Sequence, residues 1–130
     1  MEIKISFPGG KRVDAHFGHH VIQTDQPRQA GGDDSAAAPF DLFLASIGTC
    51  AGIYVLGFCQ QRNIDTTGLS MTQTLDYNLE TRLVETINLR IQLPEHFPDK
   101  YKSAILKTAN LCTVKRHLAS PPDITVSIQE

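Results

Sequence analysis

The residues of this chain best suited to covalent chemistry are its three cysteines, Cys50, Cys59 and Cys112. A thiolate is a strong nucleophile, whereas a thiol packed in an apolar core is inert, and most buried cysteines are of the second kind. Position separates the three. Cys50 lies in the apolar run PFDLFLASIGTCAGIYVLGFC, where Gly48, Ala51 and Gly52 allow another backbone or a substrate to come close. Cys59 ends the same run. At about 100° per residue it falls roughly half a turn away from Cys50, so one helix cannot bridge the pair, and Cys59 reads as a core residue. Cys112 precedes TVKRHL. A helix starting there sets its free amide groups beside the sulfur, and Lys115, Arg116 and His117 add positive potential within the next turns. The other chemical cluster is His16, His19 and His20. On a strand His19 and His20 point to opposite faces, and no C-x-x-C accompanies them, so no metal is expected.

The elements that must position these residues follow from periodicity. Ile3, Ile5 and Phe7 alternate with polar residues as in a half-buried strand. Pro8-Gly9-Gly10 is a turn, and the alternation resumes at Val13, Ala15 and Phe17, which gives a hairpin. HHVIQT supplies a third strand, and DQPRQAGGDDSAAA, residues 25–38, is a loop long enough to be functional. A helix starts near Pro39, with Asp34 or Ser35 as cap, and its nearly all-round apolar character predicts the buried central helix of the domain. LSMTQTL and LVETINLRIQL pattern as strands, residues 99–111 as a helix, CTVKRHL as a short turn or helix, and ITVSI as a closing strand. The order βββ–α–ββ–α–(α)–β is that of an α+β domain, a single one over residues 1–130.

Composition narrows the function classes. A net charge of −2 and the lack of a basic stripe argue against nucleic acid as a partner. An odd number of widely spaced cysteines is unlike a secreted disulfide framework, and the first residues read as a strand rather than a signal peptide, so a cytoplasmic location is expected. Residues 42–59 are uncharged and long enough to approach a membrane span. Ser46, Thr49, two cysteines and three glycines within that stretch favour a core helix over a membrane one.

PFDLFLASIGTC and CTVKRHL together resemble the two cysteine motifs of the OsmC/Ohr family, the osmotically inducible and organic hydroperoxide resistance proteins. The N-terminal hairpin, the GGDDSAAAP loop and the helix–strand order extend the resemblance over nearly the whole chain. It implies an intertwined homodimer with antiparallel sheets and a central helix. It also implies a thiol peroxidase without a cofactor, in which Cys50 attacks an organic hydroperoxide, Cys112 resolves the sulfenic acid to a disulfide, and an external dithiol resets the pair. An arginine of the N-terminal hairpin, Arg12 with Arg28 as the alternative, is implied as the thiolate-stabilising cation, and Asp41 as the acid that orients it. Asp41 is equally a first-turn acid favoured by the helix dipole. Phe40, Phe43, Ile47 and Tyr54 would line an apolar pocket that prefers organic hydroperoxides. Phe40 stands where the hydroperoxide-resistance subgroup carries its acid, and Thr113 stands where the second motif carries proline. The departure at Phe40 turns the chain toward the OsmC-like branch, and the one at Thr113 is smaller. The competing reading is a non-catalytic module that holds a small hydrophobic ligand in the dimer cleft, with both thiols merely lining it.

Overall fold

A computed structural model describes the whole chain, Met1–Glu130. The backbone forms two compact units, residues 1–45 and 46–130, each with its own antiparallel sheet.

In the first unit β1 (Lys4–Gly9), β2 (Arg12–Phe17) and β3 (His20–Thr24) form a sheet in the order β1-β2-β3. Ile5 faces Ala15, and Ala15 faces Ile22, so one row of side chains crosses all three strands. Gly10 and Gly18 turn the chain in the left-handed region, at φ of 59° and 55°. The strands match their sequence pattern, but the half-buried face does not: Ile3, Ile5 and Phe7 are 49%, 54% and 78% exposed. Alternation fixes which side chains share a face; burial also requires a layer over that face.

The loop after β3 is organised by one carboxylate. Asp25 is fully buried and accepts hydrogen bonds from the amides of Gln26, Asp33 and Ser35 and from the Ser35 hydroxyl. These bonds hold its carboxyl down from the usual value of 3.8 to about 2, the Ser35 hydroxyl contributing most. Ser35 is therefore committed to Asp25 rather than capping a helix, which corrects the expected cap. Asp34 adopts φ 53° and donates its amide to the Gln26 carbonyl. Gly32 is required by space: a Cβ there would lie 2.0 Å from the Gln26 carbonyl oxygen.

Helix α1 (Pro39–Gln61) begins in the first unit and continues into the second. Proline at its first position needs no hydrogen-bond partner for its nitrogen. Its buried residues, Ile47, Ala51, Val55, Phe58 and Cys59, form one stripe at helical spacing. Val55, Phe58 and Cys59 pack with Phe97 and Ile105 as the core of the second unit. The helix is central to that core, yet Ile53 is 59% exposed, so burial is one-sided despite the all-round apolar sequence. By length and composition alone α1 is also long and apolar enough to cross a membrane, and 28% of its most apolar stretch is buried in this fold.

The hairpin of β4 (Ser70–Asn78) and β5 (Leu83–Gln92) lies against this helix. Gly48 and Gly52 admit it: a Cβ on Gly48 would lie 2.7 Å from Gln73 Oε1, and one on Gly52 would lie 3.8 Å from Met71 Sδ. A 3₁₀ turn at Asp99–Tyr101 leads into α2 (Lys102–Asn110), which contributes Ile105 to the core, and α3 (Thr113–Ala119) follows. The expected closing strand ITVSI does not form. Residues 121–130 carry no regular structure, and Ile124, Val126 and Ile128 are 85%, 95% and 90% exposed. A strand needs an edge to hydrogen-bond with, and no strand of this chain pairs with that segment.

Candidate active site

Cys50 is half-buried near the middle of α1, beside rather than within the buried stripe. Cys112 is 1% exposed and caps the N-terminus of α3, where its sulfur accepts the Lys115 amide at 3.4 Å. The second cysteine motif thus forms the helix start that its sequence suggests, with the thiol as the cap acceptor. All three cysteines are free thiols.

The two cysteine motifs meet in the second unit. Cys112 lines a cavity of about 100 Å³ with Ile47, Ala51, Met71, Ile91 and Leu106. Ala51 is the immediate neighbour of Cys50. One turn further on, Tyr54 Oη and Thr113 Oγ1 share a hydrogen bond of 3.2 Å, and Thr113 is the immediate neighbour of Cys112. Residues 59 positions apart in sequence are joined in this way. The helix that carries Cys50 and the turn that carries Cys112 therefore meet through the Tyr54–Thr113 bond and the shared cavity.

Cys59 behaves as a core residue. It is wholly buried, and burial pushes its thiol up while the Arg62 guanidinium opposes that effect. Arg62 stacks on the Phe58 ring at 3.6 Å and donates to the Phe58 carbonyl at 3.1 Å. It stands over a groove of about 340 Å³ lined by Ile53, Tyr54, Gly57, Phe58 and Thr108.

The other expected site residues are distributed as follows. Ile47 lines the cavity at Cys112, and Tyr54 lines the groove. Phe40 and Phe43 stack on each other with ring centroids 5.6 Å apart, and both are exposed. Arg12 is exposed; its Nε donates to the Gly9 carbonyl at 3.4 Å, and it lines a cavity of about 180 Å³ with Asp14, Gln23, Thr24 and Ser35. Arg28 is exposed at the start of a 3₁₀ turn. Asp41 is exposed in the first turn of α1. In the histidine cluster, His16 bonds the Ser6 hydroxyl at 2.8 Å, and the His19 and His20 rings lie 4.1 Å apart.

Sequence reasoning missed Asp25 and the Tyr54–Thr113 bond. The glycine-containing loop that follows Asp25 was the only local sign of the first. Nothing local marks the second.

A family model described as OsmC-like protein matches residues 32–127. The chain belongs to the OsmC-like family. Both cysteine motifs and α1 to α3 fall inside the matched range. Solved structures share the OsmC-like fold. One, described as an osmotic stress induced and detoxification response protein from Psychrobacter arcticus 273-4, is 24% identical, with 88% of this chain and 85% of that chain covered and a TM-score of 0.73. An OsmC like protein from Mycoplasma pneumoniae is 15% identical over 92% of this chain and 87% of its own, with a TM-score of 0.71. An organic hydroperoxide resistance protein OsmC from Legionella pneumophila is 20% identical over 91% and 89%, with a TM-score of 0.52. No curated protein matches the sequence.

Proposed function

We propose that this OsmC-like chain is a redox protein of stress defence, a thiol-dependent peroxidase that reduces organic hydroperoxides. The observation that carries the reading is the meeting of the two motifs, with Cys112 and the neighbour of Cys50 lining one cavity. The Cys50 thiolate attacks the terminal peroxide oxygen. An S–O bond forms, the O–O bond breaks, and the alkoxide leaves and takes up a proton as the alcohol. The Cys112 thiolate then attacks the sulfenic sulfur, an S–S bond forms, and hydroxide leaves as water. An external dithiol reduces the disulfide. Arg12 is assigned to stabilising the Cys50 thiolate and Asp41 to orienting that arginine, with Arg28 as the alternative cation. The aromatic and apolar side chains of Phe40, Phe43, Ile47 and Tyr54 favour an alkyl peroxide over hydrogen peroxide. No cofactor is assigned to the cycle, and a cytoplasmic location keeps the resting thiols reduced.

The working form in this reading is a homodimer. Its support is the apolar surface one copy leaves open: Ile3 just before β1, Ile5 and Phe7 on β1, Ile53 on α1, and the alternating Ile124, Val126 and Ile128. A second reading, a binding module for a small hydrophobic ligand, has the groove beside Tyr54 and Phe58 in its favour.

Reactivity separates the two. Reduced protein is mixed with one equivalent of an alkyl hydroperoxide in a stopped flow, and the products are mapped by peptide. Fast loss of two thiols with a Cys50–Cys112 crosslink is the expected result. Cys50→Ser abolishes peroxide consumption, Cys112→Ser permits one turnover followed by overoxidation, and Cys59→Ser leaves turnover intact. Equal consumption by wild type and Cys50→Ser overturns the peroxidase and leaves the binding module.

A further inference from the structure

The geometry points to Tyr54 and Thr113 as positioning residues that hold the Cys112 turn against the Cys50 turn and so set how readily the two thiols join. The inference rests on the two-cysteine reading above and deepens it. Helix α3 buries none of its own residues, so little packing holds it in place. Its start is held by polar contacts instead. Cys112 caps it through Lys115, Lys115 Nζ bonds Asn110 Oδ1 at the end of α2, and Tyr54 bonds Thr113. Of these, only the Tyr54–Thr113 bond reaches α1. Tyr54 follows Cys50 by four residues, which places both on one helix face, and Thr113 is bonded to Cys112 through the main chain.

A disulfide requires the two Cα atoms to come within about 4.4–6.8 Å, with the sulfurs correctly turned. Cys112 begins buried, its sulfur accepting a backbone amide. To reach Cys50 the sulfur must leave that amide while its own main chain stays close to α1. A tether one residue from Cys112 and one turn from Cys50 allows the side chain to swing while the backbones remain in register. Without the tether, α3 has no buried side chain to keep it against α1, and the effective concentration of one thiol at the other falls.

The test measures that concentration directly. The intact protein is equilibrated with mixtures of reduced and oxidised dithiothreitol, and the Cys50–Cys112 disulfide is quantified by mass. Here the oxidised dithiol supplies the oxidation: its S–S bond is broken and returned as two thiols while the protein S–S bond forms. Thr113→Val keeps the shape and removes the hydroxyl. It is expected to lower the effective concentration roughly 2- to 10-fold, as loss of one net hydrogen bond implies. Thr113→Ser restores it. Tyr54→Phe gives the same loss, and the double variant is no worse than either single one, because both remove a single bond. With hydroperoxide, Thr113→Val shifts product from disulfide toward sulfinic acid at equal peroxide. A purely structural role would lower the melting temperature without this partition and without rescue by serine. Wild-type effective concentration in Thr113→Val, or failure of the wild-type pair to form in any dithiol mixture, overturns the inference. A pair that forms in the dithiol mixtures but does not form with hydroperoxide overturns the peroxidase reading and leaves the tether standing.

Discussion

Ser35 gives Asp25 both of its donors: its hydroxyl lies 2.6 Å and its amide 3.1 Å from the same carboxylate oxygen. Two further amides complete the set, and the loop from β3 to α1 closes around a buried charge. The backbone that leads into the cysteine helix is thereby fixed by polar contacts rather than by apolar packing.

This arrangement makes an acid-sensitive loop. The folded Asp25 carboxyl titrates at about 2, below its ordinary 3.8, so its contribution to stability is fully present above 3.8 and is lost as pH falls through about 2. Asp25→Asn removes that contribution. Its melting temperature should lie below wild type at neutral pH, and the gap should narrow once the pH drops below 3.8. A gap that stays constant through the acid range contradicts the charge-based account.

Two glycines should respond oppositely to alanine. At Gly32 the added Cβ meets the Gln26 main chain, so the loop must shift, and overpacking of this kind costs about 1–3 kcal/mol. At Gly57, inside α1, the Cβ meets nothing within 4 Å, and replacing a helical glycine gains about 0.5–1 kcal/mol. Denaturant melts of the two variants read both signs.

The core of the second unit depends on few side chains. Ile105 is 1% exposed against Val55 and Phe58, so Ile105→Ala should cost about 2–5 kcal/mol in urea unfolding. Leu79, 83% exposed in the β4–β5 turn, should change stability by less than about 0.5 kcal/mol when made alanine.

Thiol access should distinguish the cysteines before any substrate is added. Cys50 is half-buried, whereas Cys59 and Cys112 are 0% and 1% exposed. A chromogenic disulfide reagent should therefore modify Cys50 first in the native protein and the other two only after opening or denaturation. The Cys50→Ser variant should lose the fast phase. A fast phase that survives that substitution assigns it to another thiol.

The sequence by itself determined the family and all the elements up to α3. Strand alternation over residues 3–17 and 83–93, proline at the head of a long apolar run, and two spaced cysteine motifs are local patterns, and local patterns are set by backbone period and by residue shape. It also separated Cys59 from Cys50, because helical rotation alone puts them on different faces. Tertiary structure decided the rest. Whether a face is buried depends on what covers it, so Ile3, Ile5 and Phe7 came out exposed, α1 was buried along one stripe, and ITVSI formed no strand without an edge to pair with. The hydroxyl of Ser35 could accept from the free amides of a helix start or donate to a carboxylate, and folding paired it with Asp25. The bond between Tyr54 and Thr113 spans 59 positions of sequence, and no local rule reaches that far; only the tertiary fold brings the start of α3 to α1.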